Sequence, residues 1–269
     1  MGTVTSAPLD TFRPRDAIVT ALAYASGAAT AAAFVALATA VVALGWADLR
    51  YAFSGPVQLG TGLTYSLLVV AVALPVTMAI GIPAAACASE PIVGTQIRVA
   101  LLASLRWSLG LPPVVIGVAA FFVAMTFVRS AGIGAGIAAL IVLNLSNATA
   151  RFAQAYASVP AAAREAAAAA GASPVLIFFS IVQRRAVWAV SAATLTIAAQ
   201  MIGETSAVLA ASGARSAQAP LPLQIWQYAS DAGMAPSEAS SCIVLVLSVA
   251  ACLSLARVCR GRHRSSMAS

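Results

Sequence analysis

A single carboxylate interrupts a long apolar stretch of this chain, and the residues beside it could take part in chemistry. Glu204 is the only charged residue between Ala186 and Ala214. If this stretch crosses a membrane, a charge near its centre costs about 2.5–3.5 kcal/mol on insertion scales, so Glu204 is expected to face a cavity or a partner. Gly203 lets the backbone approach closely, and Thr205 brings a hydroxyl within reach. The alternative is a glutamate near the outer end of a helix that reaches water.

The stretch Ser158–Arg185 is rich in alanine, yet it carries residues that begin and end helices. Pro160 suits the first turn of a helix, where its missing N–H costs nothing, and the alanines after it have the highest helix propensity. Gly171 offers a left-handed end to that helix. Ser173-Pro174 then supplies an N-cap residue and a first-turn proline. The pattern predicts two helices joined by a sharp elbow at Gly171.

The first predicted helix of that stretch, Pro160–Ala170, is short and covered mainly by methyl groups. Such a helix is unstable alone in water and needs a surface to pack against. Small side chains let another protein approach closely, and Arg164 and Glu165 could set the orientation at the rim of the contact. We therefore interpret Pro160–Ala170 as a docking element, although an alanine-rich connector explains the composition equally well.

The composition indicates a membrane protein. Of the 269 residues, 61% are hydrophobic and only 9% are charged, whereas soluble globular chains are about 45–50% apolar and about 25% charged. The net charge of +7 is typical of arginines held against an anionic membrane surface, and it does not indicate a nucleic-acid partner. The chain is predicted to be an all-α polytopic membrane protein that is surrounded by the lipid bilayer.

The residue types exclude several kinds of chemistry. No C-x-x-C occurs, and the single histidine, His263, lies in a basic tail, which argues against a metal site. The chain contains no lysine and no Walker sequence G-x-x-x-x-G-K-[ST], so it does not bind ATP in that way. An intramembrane enzyme is disfavoured because the apolar stretches hold no histidine and no pair of aspartates. We expect neither a cofactor nor a catalytic residue in this chain.

Six stretches are long and apolar enough to cross a membrane, for which about 20 mainly apolar residues are needed. They are the run between Asp16 and Asp48, the region near Gly60–Ala88, and the segments Trp107–Val128, Ser130–Ala150, Ala186–Ala214 and Ala239–Ala256. Twelve arginines fall on one side of this arrangement, and only three, Arg50, Arg129 and Arg215, fall on the other. The positive-inside rule then places both termini in the cytoplasm.

The predicted organisation has three parts. Residues 1–17 form a cytoplasmic N-terminal tail, residues 18–257 form a six-helix membrane domain, and residues 258–269 form a basic cytoplasmic tail. The largest cytoplasmic loop covers about residues 151–185 and contains the alanine-rich stretch. The segment Arg215–Glu238 is predicted to face the outside, where its aromatic residues suit the level of the lipid headgroups.

The alanine-rich loop resembles the loop that binding-protein-dependent ABC importers of bacteria carry in their permease subunits. The family pattern is E-A-A, three residues, G, nine residues, I, and these spacings are kept here by Glu165-Ala166-Ala167, Gly171 and Ile181. The family pattern continues with Leu-Pro, and this chain has Gln183 and Arg184 there. The resemblance implies a type I importer permease fold in the bacterial cytoplasmic (inner) membrane, without enzymatic activity. It also implies that the loop helix inserts into a cleft of an ATP-hydrolysing partner subunit.

Three further stretches resemble the phosphate-specific permeases of the PstA type. They are SLGLPPVVIGVAAFF (Ser108–Phe122), MIGETSAVLAASG (Met201–Gly213) and APLPLQIWQYAS (Ala219–Ser230), the last of which distinguishes PstA from its usual partner PstC. This resemblance implies import of inorganic phosphate, driven by a dimer of ABC ATPase subunits that bind the ATP. It also implies a second, PstC-like permease subunit and an extracytoplasmic phosphate-binding protein as partners.

The residues expected to line the substrate pathway differ from the family at one position. Phosphate permeases usually carry an arginine four residues before the glutamate of the Gly-Glu-Thr motif, and this chain has Gln200 there. A gapless match aligns a second family arginine with Ala150, next to Arg151. The resemblance therefore implies a pathway lined by Gln200, Gly203, Glu204, Thr205 and Arg151.

A carboxylate in an anion pathway has a chemical rationale. Phosphate near neutral pH carries a proton that it can donate, whereas sulfate does not, so Glu204 could favour phosphate and repel fully deprotonated oxyanions. The sequence LPPVVIG is also similar to molybdate, tungstate and sulfate permeases, so another oxyanion is an alternative. A secondary transporter driven by an ion gradient is an alternative of a different class, for which inverted repeats and several intramembrane acidic groups are expected.

Overall fold

The structure, a computed structural model, describes residues 59–129, 132–204, 206–212, 220–232 and 236–268, and its elements in these ranges are helices. They are α1 (Leu59–Ser89), α2 (Thr95–Leu109), α3 (Pro113–Phe127), α4 (Ile133–Ala157), α5 (Ala161–Ala169), α6 (Pro174–Ile177), a π-helical turn (Phe178–Val182), α7 (Gln183–Gly203), α8 (Ser206–Ser212), α9 (Leu221–Ala232) and α10 (Pro236–Ala268). The all-α prediction is confirmed for this part of the chain. The predicted N-terminal tail and the first span, between Asp16 and Asp48, lie outside the described residues.

Four helical segments of the described residues are long and apolar enough to cross a membrane. They are Thr61–Ser89, Ile133–Ala157, Pro174–Gly203 and Ser241–Ser265. These segments correspond to the second, fourth, fifth and sixth predicted spans, so this part of the chain has the character of a multi-pass membrane protein. The count of six spans and the cytoplasmic position of both termini stay predictions.

The predicted third span, Trp107–Val128, is not a single helix. α2 ends at Leu109 and α3 begins at Pro113, with Pro112 as the N-cap at φ −58° and ψ 139°. A proline disfavours helical geometry at the residue before it and has no N–H to donate, so the two prolines end one helix and begin another. α3 covers about 22 Å, which is less than the roughly 30 Å of a bilayer core.

The fifth and sixth predicted spans have different ends in the structure. The helical segment that corresponds to the fifth predicted span starts at Pro174, before the predicted start at Ala186. It ends at Gly203, because Glu204 adopts an extended conformation with φ −77° and ψ 120°. α8 then resumes a helical path for seven residues. α10 runs for 33 residues, so the basic residues after position 257 continue the last helix as far as Ala268.

The long helices form a bundle in which α1 and α4 run in the same direction. Gly81 of α1 lies next to Phe152 of α4, since a Cβ on the glycine would be 3.4 Å from the aromatic ring. α7 runs in the opposite direction and packs against α4 and α10. Below, the loop end of the bundle is the end that holds Ser89 and Ala157, and the far end is the end that holds Leu59.

Side-chain size differs between the two ends of the bundle. Near the loop end, Tyr156 of α4 and Phe178 of the π-helical turn are buried, and their rings meet edge to face with 5.1 Å between centroids. The base of α7 is thereby packed directly against α4. Nearer the far end, a second cluster consists of small residues, namely Ala135, Ala139, Ala207 and Ala211. Small residues let membrane helices approach one another closely.

The short helix α8 is held between α3 and α4 by a glycine on each side. A Cβ at Gly117 of α3 would lie 2.4 Å from the carbonyl oxygen of Ala207 and 2.8 Å from the Cβ of Ala210. On the other side, a Cβ at Gly136 of α4 would lie 3.1 Å from Cγ1 of Val208. These two glycines therefore serve close packing within the chain.

Replacing Gly117 with alanine is expected to destabilise the protein, because the new methyl group overlaps the backbone of α8. Overpacking of this kind costs about 1–3 kcal/mol in the free energy of unfolding. Thermal denaturation of the purified protein in detergent should show a lower midpoint. Gly134→Ala in α4 is the matched control, since a Cβ there meets nothing within 4 Å. Equal midpoints for the two variants would contradict the close approach of α3 and α8.

Candidate functional site

The alanine-rich loop adopts the predicted form of two helices joined by an elbow. α5 directly follows Pro160, and Gly171 takes the left-handed conformation at φ +82°. The Gly171 N–H donates to the Ala168 carbonyl at 2.9 Å, and the Ala172 N–H donates to the Ala167 carbonyl at 3.1 Å. These two hydrogen bonds form a Schellman motif, in which glycine is favoured because φ is positive.

The second helix of the loop also starts where the sequence predicts. The Ser173 hydroxyl accepts a hydrogen bond from the Leu176 N–H at 3.3 Å, and Pro174 is the first residue of α6. Arg184 stands where the family pattern has proline, so the chain continues as helix from α6 through the π-helical turn into α7. Ile181 is half-buried in that turn. The elbow is thus joined to α7 by a continuous helical backbone.

α5 has an inward and an outward face. On the inward face, Ala163, Arg164 and Ala167 are half-buried, and Ala167 packs against the core of the bundle. The outward face is exposed and consists of Ala162, Glu165, Ala166 and Ala169. The spacing of both sets matches the helical repeat. The E-A-A residues are therefore divided, because the glutamate and the first alanine point outward and the second alanine points inward.

Arg164 does not orient α5 at an exposed rim, which corrects the sequence-based expectation. Its guanidinium turns toward the bundle, where Nη2 lies 2.9 Å from Glu90 Oε1 and Nε donates to the same oxygen at 3.1 Å. Nη1 donates to the Val159 carbonyl at 2.7 Å, and Nη2 donates to the Tyr156 carbonyl at 2.6 Å. A guanidinium has a planar set of N–H donors. The Glu90 carboxylate, together with the two carbonyl groups at the end of α4, matches that set, and for this reason Arg164 turns inward.

Glu204 stands at the break between α7 and α8 and caps α8. Its Oε1 accepts a hydrogen bond from the Ala207 N–H at 3.3 Å. The carboxylate is half-buried beside a small cavity, whose lining includes Ser66, Leu140 and Pro220. Ser66 and Leu140 each lie about 10 Å inside the far end of their helices at about 1.5 Å per residue. Glu204 is therefore inside the bundle and not at its edge.

The other residues predicted for the substrate pathway are only partly brought together. Gln200 and Gly203 are exposed and share one face of α7 near its end. Thr205 lies outside the described residues. Arg151 is half-buried on α4, about 16 Å along the helix axis from the level of the cavity. The structure thus separates Arg151 from Glu204, and the described residues that line the cavity carry no positive charge.

α9 places polar groups inside the bundle that the sequence did not predict there. The Leu221 N–H donates to Ser66 Oγ at 2.8 Å, and Gln224 is buried at 2% exposure. Within the segment Arg215–Glu238, which is predicted to face the outside, α9 packs against α1 and α10. Trp226 of α9 has the expected exposure, at 49%. The run of apolar residues in PLPLQIW was the available signal for a buried helix.

The fold is shared with solved ABC transporters. No family model and no curated protein matches the sequence. The chain nevertheless has the fold of the permease subunits of ABC importers, which are transmembrane proteins and not enzymes themselves.

Three solved structures illustrate the likeness. Two are inward-facing forms of the MetNI methionine ABC transporter, each with a chain 19% identical to this one. The first has a TM-score of 0.67, and the match covers 76% of this chain and 95% of the transporter chain. The second has a TM-score of 0.65, and the match covers 77% of this chain and 98% of the transporter chain. An amino acid ABC transporter with histidines is 17% identical, with a TM-score of 0.59 and coverage of 77% and 93%. These likenesses confirm the importer fold predicted from the loop and do not support the phosphate-specific type.

Removing the carboxylate of Glu204 is expected to loosen α8. Alanine cannot accept the hydrogen bond of the Ala207 N–H, so Glu204→Ala should lower the free energy of unfolding by about 1 kcal/mol, as at other helix caps. Glu204→Gln keeps a side-chain oxygen and is the matched control, with an expected midpoint close to that of the wild type. Thermal denaturation in detergent measures both. A midpoint lowered equally in the two variants would contradict the capping role.

Proposed function

We propose that this chain is the permease subunit of an ABC importer in the cytoplasmic membrane of a bacterium. The observation that carries the proposal is the loop, in which an E-A-A helix at one end of an importer fold exposes Glu165 and Ala166. A helix with an exposed methyl face, held by a glycine elbow, is suited to lie in a groove of a partner. The partner is a dimer of ATPase subunits, which supplies the ATP site that this sequence lacks.

Coupling follows from the two faces of α5. The outward face would sit in a cleft of an ATPase subunit, while the inward face is tied to the bundle through Ala167 and Arg164. ATP-driven closure of the ATPase dimer moves the cleft, and α5 carries this movement into the bundle. The pathway then switches between inward-open and outward-open states. A second permease subunit completes the pathway, and an extracytoplasmic binding protein delivers the solute.

A bulky side chain on the outward face of α5 is expected to prevent assembly without unfolding the permease. Ala166→Trp places an indole where close docking needs a methyl group. An affinity-tagged variant should therefore recover about tenfold less ATPase subunit, which corresponds to about 1.4 kcal/mol in binding free energy. The measurement is the amount of ATPase subunit recovered per amount of tagged permease.

Two further variants complete that test. Leu247→Trp is the matched control, because Leu247 is an exposed apolar residue of α10 in the part of the helix nearer the far end. It should accumulate in the membrane and recover the ATPase subunit as the wild type does. Deletion of Pro160–Ala170 should abolish recovery, and an intact complex after that deletion would refute the docking role of the loop.

We further propose inorganic phosphate as the transported solute. Two of the stretches that resemble phosphate permeases, Met201–Gly213 and Ala219–Ser230, both contribute to the cavity beside Glu204. A carboxylate can accept the proton that phosphate still carries, and Gln200 can donate hydrogen bonds to phosphate oxygens. The positive charge that the described lining lacks would come from a PstC-like second permease subunit. A phosphate-specific binding protein belongs to the same proposal.

An amino acid is the second candidate solute. The described cavity lining carries a carboxylate and no positive charge, which suits the ammonium group of an amino acid better than a divalent anion. The similar solved structures are a methionine transporter and an amino acid transporter with histidines. Molybdate, tungstate and sulfate are less well matched than phosphate, because they offer no proton to a carboxylate.

Uptake by the complete transporter in proteoliposomes distinguishes these solutes. Radiolabelled phosphate is expected to accumulate with ATP, whereas sulfate and methionine are excluded. Glu204→Gln should lower phosphate uptake about tenfold and weaken the exclusion of sulfate, because the neutral amide accepts the phosphate hydrogen bond more weakly than a carboxylate and no longer repels a fully deprotonated oxyanion. Accumulation of methionine instead of phosphate would establish the second candidate. Unchanged uptake and exclusion in Glu204→Gln would remove the role assigned to Glu204.

A further inference from the structure

The ion pair between Glu90 and Arg164 is largely buried at the loop end of the bundle. Glu90 directly follows α1, and its side chain is 8% exposed, while that of Arg164 is 22% exposed. A carboxylate in such surroundings is strongly destabilising if its partner is removed. The two side chains therefore have a physical reason to stay together when the elements that carry them move.

Arg164 uses the rest of its guanidinium on the end of α4. The carbonyl groups of Val159 and Tyr156 accept hydrogen bonds from it at 2.7 and 2.6 Å. Carbonyl groups at the C-terminus of a helix lie at the negative end of the helix dipole, so a cation is favoured there. One side chain of α5 thus binds the last turns of α1 and α4 together.

The other inward contacts of α5 give it little direction. The side chains that turn inward beside Arg164 are Ala163 and Ala167, and a methyl group can slide over a neighbouring surface without losing a directed bond. α5 is only nine residues long. Among the residues that the structure describes, the directed contacts of Arg164 therefore link α5 to the bundle, and its ion pair with Glu90 is the one of them that reaches α1.

We infer that Arg164 and Glu90 form a clasp that transmits the movement of α5 to the last turns of α1 and α4. The inference rests on the proposed function, because the movement is the one imposed by the ATPase subunits. Glu165, the next residue, points outward, so docking and transmission are assigned to neighbouring residues on opposite faces of α5. Arg164 is a positioning residue, which sets how closely α1 and α4 follow α5.

A matched control lies beside the clasp. A cavity of about 620 Å³ borders Glu90 and Arg164 and is also lined by Arg98 and Gln154. Arg98 is exposed on α2 and takes no part in the Arg164–Glu90 pair. Arg98→Gln therefore removes a positive charge next to the clasp while the clasp itself is kept.

The test measures solute uptake per ATP hydrolysed by the complete transporter in proteoliposomes, with radiolabelled phosphate, or methionine if that is the solute transported. Arg164→Gln and Glu90→Gln are expected to recover the ATPase subunit and to hydrolyse ATP like the wild type. Their uptake per ATP should fall about 2- to 30-fold, the usual range for residues that couple two sites. Arg98→Gln should keep the wild-type ratio. The double variant should be no worse than Arg164→Gln alone, because Arg164→Gln already removes the contact that Glu90→Gln removes.

Two results would overturn the clasp. The first is a wild-type uptake per ATP hydrolysed in both Arg164→Gln and Glu90→Gln. The second is that neither variant recovers the ATPase subunit, which would place the pair in the docking surface. If a glutamine variant does not accumulate, Arg164→Lys decides, since lysine keeps the charge but lacks the planar fork of donors. A lower solute uptake per ATP hydrolysed in Arg164→Lys supports the clasp, and a wild-type uptake per ATP refutes it. Failure of the proposed function is a separate outcome, because the wild-type chain itself would then recover no ATPase subunit.

Discussion

Lipid offers no hydrogen bonds to a polypeptide, and this constraint explains what the chain places at each interruption of its helices. Where α7 ends, the Glu204 carboxylate accepts the N–H of Ala207 at the start of α8. Where α9 begins, the Leu221 N–H donates to Ser66 Oγ. The chain thus satisfies these backbone groups with its own side chains. Irregular backbone can therefore exist inside the bundle, which is where a solute pathway needs polar groups.

Two carboxylates of the bundle, Glu90 and Glu204, have different surroundings. Glu90 is paired with a full positive charge on Arg164, so it is suited to hold two elements together. Glu204 accepts the backbone N–H of Ala207 and shares its cavity with described residues that are uncharged. In the proposals above, Glu90 would serve the mechanical connection at the loop end, and Glu204 would be the charge that a passing solute encounters.

The high alanine content also serves two purposes. Within the bundle, Ala207 and Ala211 of α8 let that helix lie close to α3 and α4, where Gly117 and Gly136 provide the remaining space. On the outward face of α5, the methyl groups are exposed among the residues that the structure describes and leave a surface that another protein can approach closely. A low-complexity composition therefore carries specific information once its position in the fold is known.

Much of the local structure could be predicted from the sequence, because proline, glycine and serine act on the backbone within a few residues. Pro160, Gly171 and Ser173 predicted the elbow of the loop, and the structure shows the expected left-handed glycine and N-cap. The long apolar runs predicted four of the helical spans. The same local reasoning applied to Pro112 and Pro113 predicts the break in the third span, which the apolar composition alone conceals.

Contacts between distant residues could not be predicted in this way. Glu90 and Arg164 are 74 positions apart, and Ser66 and Leu221 are 155 positions apart, so no local pattern selects one partner among many polar residues. The sequence by itself determined the helical class and the elbow of the loop that carries the E-A-A pattern. Only the tertiary structure decided that Arg164 turns inward, that Glu204 caps a helix, and that Arg151 lies away from it. These facts depend on how the helices pack side by side, and that packing is set by all of the helices together.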